Sequence, residues 1–95
     1  MERDVQRDVV AFYRTIGCSV YVFSQGRKTR QTPGIPDLYV QYKGKRWWHE
    51  SKTEAGRLSA AQVEFAGREL DAGGDVIVGG LKAAQTYTRA LGITS

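Results

Sequence analysis

The chain is expected to form an α/β fold: a mixed four-stranded sheet flanked by helices, in the element order α-β-β-β-α-β-α. Three observations predict it. Apolar residues recur at helical spacing near the N-terminus and again after residue 59, while β-branched and aromatic residues gather in short runs between turn signals. The final strand–helix–strand passage calls for a right-handed crossover between parallel strands. The length, 95 residues of which 41% are hydrophobic, supplies one modest core and therefore one domain, 1–95.

Residues 2 to about 16 read as the first helix, because Val5, Val9, Phe12 and Ile16 follow one another at spacings of four, three and four. Glu2 and Asp4 stand in its first turn, where the helix dipole favours acids, and Gly17 is a stop signal. Cys18 to Ser24 is rich in β-branched and aromatic residues and reads as a strand. The run from Gln25 to Gly34 holds Gly, Pro, three positive charges and no apolar residue, and reads as a basic loop.

Pro36 to Tyr42 is the second expected strand, with Pro accepted at its first position because no ladder donor is needed there. Lys43-Gly44-Lys45 makes a tight turn into a third strand, Arg46 to Lys52, so the two strands form a hairpin. After a polar loop at 53–57, Ser59 and Gln62 fit a capping box, and Leu58 with Val63 a hydrophobic staple. Val63, Ala66, Gly67 and Leu70 are the expected buried stripe of that helix, which Gly73-Gly74 ends. Asp75 to Val78 is a short strand whose Val76-Ile77-Val78 run predicts burial on both faces. A last helix runs from about Lys82 to Leu91, stopped by Gly92. Tyr13 and Tyr87 read as core-edge residues, and the chain shows no internal repeat, linker or low-complexity segment.

The formal net charge is +4, from 14 Lys and Arg against 10 Asp and Glu. From Arg27 to Lys52 seven basic residues face two acids, a middle that suits a polyanion such as nucleic acid. Arg27, Lys28 and Arg30 are the expected phosphate contacts. No run approaches the roughly 18 apolar residues of a membrane span. Glu2, Arg3 and Asp4 argue against a signal peptide. The single cysteine, Cys18, reads as a small buried hydrophobe that cannot pair internally, which fits a reducing, cytoplasmic setting.

Along the third strand side chains alternate between faces. Trp48, Glu50 and Lys52 share one face; Trp47, His49 and Ser51 share the other. Asp37 begins the neighbouring strand, thirteen residues before Glu50. If it lies on the Glu50 side, two carboxylates and an ammonium converge at one end of the hairpin. Paired carboxylates repel and raise one another's pKa, a conflict that a divalent cation removes. Mg²⁺ accepts one or two carboxylates plus waters and substrate phosphate. It polarises the scissile phosphate and lowers the pKa of a bound water. Lys52 is suited to orient the attacking water or to stabilise developing charge. No serine–histidine or cysteine–histidine pair of nucleophilic design is evident. His49 should point away from Glu50 and pack. Trp47 and Trp48 read as core or interface residues.

Gly34-Ile-Pro-Asp37 followed by Glu50-Ser-Lys52 resembles the PD-(D/E)XK nuclease signature. The longer run from Glu50 to Gln62, with Gly56-Arg-Leu-Ser59 inside it, is similar to the VRR-NUC branch of that superfamily, and Glu2 with Gln6 matches the residues that open its first helix. The resemblance implies a restriction-endonuclease-like fold. It also implies hydrolysis of DNA phosphodiesters by an activated water, with Mg²⁺ or Mn²⁺ held by Asp37, Glu50 and the carbonyl of Ser51. Lys52 would be the catalytic lysine, Glu2 would face the site from the first helix, and Gln62 would reach back towards the Lys52 region. Stand-alone members of the branch resemble Holliday-junction resolvases, which implies a homodimer cutting branched or junction DNA, in the host cytoplasm if phage-encoded. Aromatics of the third strand are the expected dimer contact. The other readings are a non-catalytic DNA-binding module, a nickase or flap nuclease, and a subunit of a larger nuclease assembly.

Overall fold

The computed structural model describes residues 2–23 and 32–95. Ser24 and the basic residues Arg27, Lys28 and Arg30 lie outside the described residues. The elements are α1 (Glu2–Thr15), β1 (Ser19–Val22), β2 (Leu38–Tyr42), β3 (Lys45–Ser51), α2 (Ala60–Asp71), β4 (Val76–Gly79) and α3 (Leu81–Ala90), in the order α-β-β-β-α-β-α. The sheet order is β1-β2-β3-β4. β1, β2 and β3 are antiparallel neighbours, and β4 lies parallel to β3, joined to it through α2.

Tyr42 pairs with Lys45 across a two-residue turn, Lys43-Gly44, whose φ values of 46° and 86° match the twist of the flanking strands. That turn sets the hairpin register: Leu38 opposite His49, Tyr39 opposite Trp48 and Val40 opposite Trp47. The pleat sends Val20, Leu38, Val40 and Trp47 to one face, where they form the core with Val9 and Tyr13 of α1 and Ala84 of α3. Trp48 faces the other way, against Tyr39 and against Phe65 of α2.

Four expectations change. Tyr13 is no core-edge residue; it is fully buried, because Trp47 and His49 satisfy its hydroxyl. Trp47 and Trp48 cannot form an exposed dimer contact, since Trp47 is in the core and Trp48 is half-covered by Tyr39, Phe23 and Phe65. β4 is not buried on both faces, because it is an edge strand with Val78 open to solvent.

The inward face of α2 is also rotated. Val63 and Leu70 are 56% and 57% exposed, and Phe65 is the buried residue. Gln62 and Glu69 flank Phe65 at helical spacing and share its face. Gln62 bonds Glu50 at 3.1 Å, and Glu69 accepts the Trp48 indole N–H at 2.7 Å. Polar residues with inward partners thus hid the true face from the apolar pattern. The capping box of Ser59 and Gln62 is present in both directions. Phe65→Ala is therefore expected to destabilise by about 3 kcal/mol. Leu70→Lys should stay within about 0.5 kcal/mol of the parent. Urea melts of the two variants would check this, and the reverse ranking would restore the original stripe.

Candidate active site

β2 begins immediately after Asp37 and β3 ends immediately before Lys52, so the antiparallel hairpin brings the two positions to the same end of the sheet. The N-terminal turns of α1 and α2 close over that end. The resulting cleft is lined by Glu2, Arg3, Gln6, Asp37, Glu50, Ser51, Lys52 and Gln62. All six of the expected catalytic or metal-holding residues are therefore in one place.

Each group is held by a stated contact. Asp37, 3% exposed, accepts the Ser51 backbone N–H at 2.8 Å on one oxygen and the Gln6 amide at 2.8 Å on the other. Glu50, 4% exposed, accepts from Gln62 at 3.1 Å through Oε2, and its Oε1 is buried with no hydrogen-bond partner. Lys52 Nζ stands 3.6 Å from Glu2 and 3.8 Å from Glu50. Gln62 caps its own helix and clamps Glu50 at once, so the capping and site roles coincide. Gln62 reaches Glu50 on the same oxygen that Lys52 approaches, so it meets the Lys52 region as expected. Glu2 stays largely exposed and meets the site through Lys52. His49 faces away, as expected of a packing residue, and both ring nitrogens are engaged by Tyr13 and Gly79.

Gln6 and Arg3 extend the expected set. Gln6 sits one turn after Glu2, and that i,i+4 spacing is the signal that places it on the cleft side. Arg3 had no signal beyond its position beside Glu2. It adds a second cation, besides Lys52, to the wall of a cleft that also holds the Glu2, Asp37 and Glu50 carboxylates.

Burial, reinforced by the Asp37 charge and opposed by Lys52, pushes the Glu50 carboxyl up from 4.5 to about 7. The folded protein thus favours the protonated acid more than the unfolded chain does. Its contribution to stability is present below pH 4.5 and is lost as pH rises through about 7. Glu50→Gln removes this loss. In EDTA its melting temperature should gain on the parent between pH 5 and pH 8, by at least about 5 °C at 4–8 °C per kcal/mol. A gap that does not change with pH would remove the argument.

Among the described residues no group of three His, Cys, Asp or Glu side chains is placed to hold a metal ion. The donors at hand are the Asp37 and Glu50 carboxylates, including an oxygen without a partner, and Ser51 lines the same cleft. That set fits a hard cation that keeps several waters, such as Mg²⁺ or Mn²⁺, better than zinc.

A solved structure described as a VRR-NUC domain is similar to this chain over 93% of its length and 94% of its own, with 26% sequence identity and a TM-score of 0.77. In sequence and in fold the chain is thus similar to a VRR-NUC domain. It carries the fold of that domain, with the mixed sheet and helix order expected of a restriction-endonuclease-like architecture. No protein-family model matches the sequence, and no curated protein does. Among the described residues, no helix is long and apolar enough to cross a membrane.

Proposed function

We propose that the protein is a metal-dependent, structure-selective DNA endonuclease that resolves branched DNA of the Holliday-junction type as a homodimer. The observation that carries the catalytic part is the buried Asp37–Glu50 pair with Lys52 at its edge and one Glu50 oxygen unpartnered. Two buried acids in contact with one cleft are unfavourable by themselves, and Glu50 shows it in its raised pKa.

Asp37, Glu50 and the Ser51 carbonyl would hold Mg²⁺ or Mn²⁺. When bound, such an ion supplies Lewis-acid polarisation of the scissile phosphate and makes water a better nucleophile. The Lys52 ammonium orients the attacking water or binds a phosphate oxygen as negative charge grows on it. Glu2 holds Lys52 from the α1 side, and Gln62 keeps Glu50 turned towards the cleft. Arg3 offers a second cation to the substrate backbone. Water oxygen bonds to phosphorus as the bond to the leaving sugar oxygen breaks, and a proton passes to that oxygen. His49 takes no part as a base, since its nitrogens are occupied on the far side of the sheet.

A domain of this size has little surface left to read base sequence, which favours recognition of DNA shape. Two matched nicks across a junction require two sites, hence a two-fold dimer. With Trp47 in the core and Trp48 partly covered, the exposed apolar side chains available for that contact include Val63, Leu70, Val78 and Leu81.

The test is cleavage of a four-way junction beside linear duplex and flap DNA, in Mg²⁺ or Mn²⁺ and in EDTA, with sedimentation of the protein alone and with junction. Paired symmetric nicks from a dimer, lost in EDTA, are expected. Metal-dependent cutting of flap or duplex only would keep the nuclease and remove the resolvase. A folded protein that binds DNA and cuts none would favour a binding module or a subunit that needs a partner.

A further inference from the structure

His49 has no exposed surface, lies on the face of β3 opposite Glu50, and is used by none of the chemistry above. In a neutral ring the hydrogen bonds around it run in only one direction. The Trp47 indole N–H donates to the Tyr13 hydroxyl oxygen at 3.2 Å and cannot accept. The Gly79 carbonyl can only accept, and it lies 3.0 Å from His49 Nε2. Nε2 therefore carries the proton, Nδ1 is the acceptor, and the Tyr13 hydroxyl donates to it across 2.7 Å. The neutral ring thus has one tautomer, and two buried aromatic residues back it.

The Gly79 carbonyl has a second donor, the backbone N–H of Lys52 at 3.2 Å. One oxygen on β4 thus joins the His49 side chain to the Lys52 main chain. The peptide plane that carries this oxygen has glycine on both sides, Gly79 and Gly80, and Gly79 has a φ of +138°. Glycine on either side leaves the plane few steric barriers to turning over. If it turned, the Lys52 N–H would lose its acceptor just past the end of β3. The Lys52 stem is guided separately by Gly56, where a Cβ would stand 3.2 Å from Lys52 Cδ. The orientation of one glycine carbonyl therefore bears on where the ammonium stands.

We propose that His49, backed by Tyr13 and Trp47, is a positioning residue for Lys52: it holds the Gly79 carbonyl turned towards β3 and so sets the place of the ammonium in the cleft. The inference rests on the proposed role of Lys52 in cleavage.

Two substitutions at one position separate this from a packing role. His49→Gln has an amide nitrogen that reaches where Nε2 stood and keeps the donor to Gly79. His49→Asn reaches only as far as Nδ1, which serves Tyr13 and leaves the carbonyl with a single donor. His49→Asn should lower kcat about 10- to 100-fold, the scale of a misplacement near 1 Å. KM and DNA affinity in Ca²⁺ should stay within about twofold, and His49→Gln should recover most of kcat. Backbone amide exchange reads the contact without any activity. In folded His49→Asn the Lys52 amide should lose protection by at least about tenfold, while Val40 in the neighbouring strand keeps its own. A packing role would instead lower protection across the sheet and affect Gln and Asn alike. Should His49→Asn fail to fold, Tyr13→Phe, which leaves Nδ1 without its donor, carries the same readouts. Unchanged Lys52 protection and a kcat within twofold of the parent would overturn the proposal. If the parent protein cuts no DNA, the nuclease reading fails separately, and the Lys52 amide still decides whether His49 holds the carbonyl.

Discussion

Asp37→Asn is expected to lower the proposed metal-dependent DNA cleavage by at least about 10³-fold and to leave the fold in place. The carboxylate has two duties, and the substitution separates them. Its structural duty is to accept the Ser51 N–H on one oxygen and the Gln6 amide on the other. Asparagine keeps an oxygen for Ser51, and Gln6 accepts from the new amide once its own amide turns over. Its electrostatic duty is to supply negative charge beside Glu50, and asparagine cannot supply it. Charge stabilisation by a bound divalent ion is worth several kcal/mol at the transition state, and about 4 kcal/mol is 10³ in rate. With one anionic donor gone, most of that is forfeited. Removing the Asp37 charge also relieves Glu50, which that charge pushes up, so the melting temperature should hold or rise slightly. Cleavage time courses in Mg²⁺ and Mn²⁺, run beside thermal melts, check both halves. A folded variant cutting within tenfold of the parent would show that Asp37 does not carry the metal.

Gly34→Ala is expected to destabilise the protein by about 4 kcal/mol, a fall of about 20 °C in melting temperature. A Cβ at Gly34 would stand 2.1 Å from the Ala61 carbonyl oxygen, 2.3 Å from its carbon and 2.8 Å from the Gln62 nitrogen. These are backbone atoms in the first turn of α2, so no side chain can swing away to make room. The φ of +78° adds a strain of about 1–2 kcal/mol for any residue with a Cβ. The only relief is to shift α2, and that shift withdraws Gln62 from Glu50 and disturbs the Ser59 cap. Cleavage should therefore fall even below the transition temperature. Gly67→Ala is the matched control. A Cβ there meets nothing within 4 Å on the solvent side of the same helix, and alanine should stabilise by up to about 1 kcal/mol. Opposite signs for one chemical change, read in parallel melts, would tie the effect to the contact between Gly34 and α2. Equal effects would dissolve it.

The order of elements was legible in the residues because its signals are local. Ser59 and Gln62 cap α2, Lys43-Gly44 turns the hairpin, and Val5, Val9 and Phe12 mark the inner side of α1. The meeting of Asp37, Glu50 and Lys52 was legible for a similar reason. A short antiparallel hairpin has one register once its turn is set, and strand alternation then assigns the faces. Three features were not legible, and each depends on partners far apart in the chain. The inward face of α2 is chosen by Trp48 and Glu50, which give Glu69 and Gln62 hydrogen bonds strong enough to bring polar groups inward and leave Val63 and Leu70 in water. Tyr13 is buried because Trp47 and His49, more than thirty residues away, satisfy its hydroxyl. The link from His49 through Gly79 to Lys52 joins β3 to β4, and no periodicity within either strand encodes it. Local propensity names the elements; a buried polar group's need for a partner selects which faces meet.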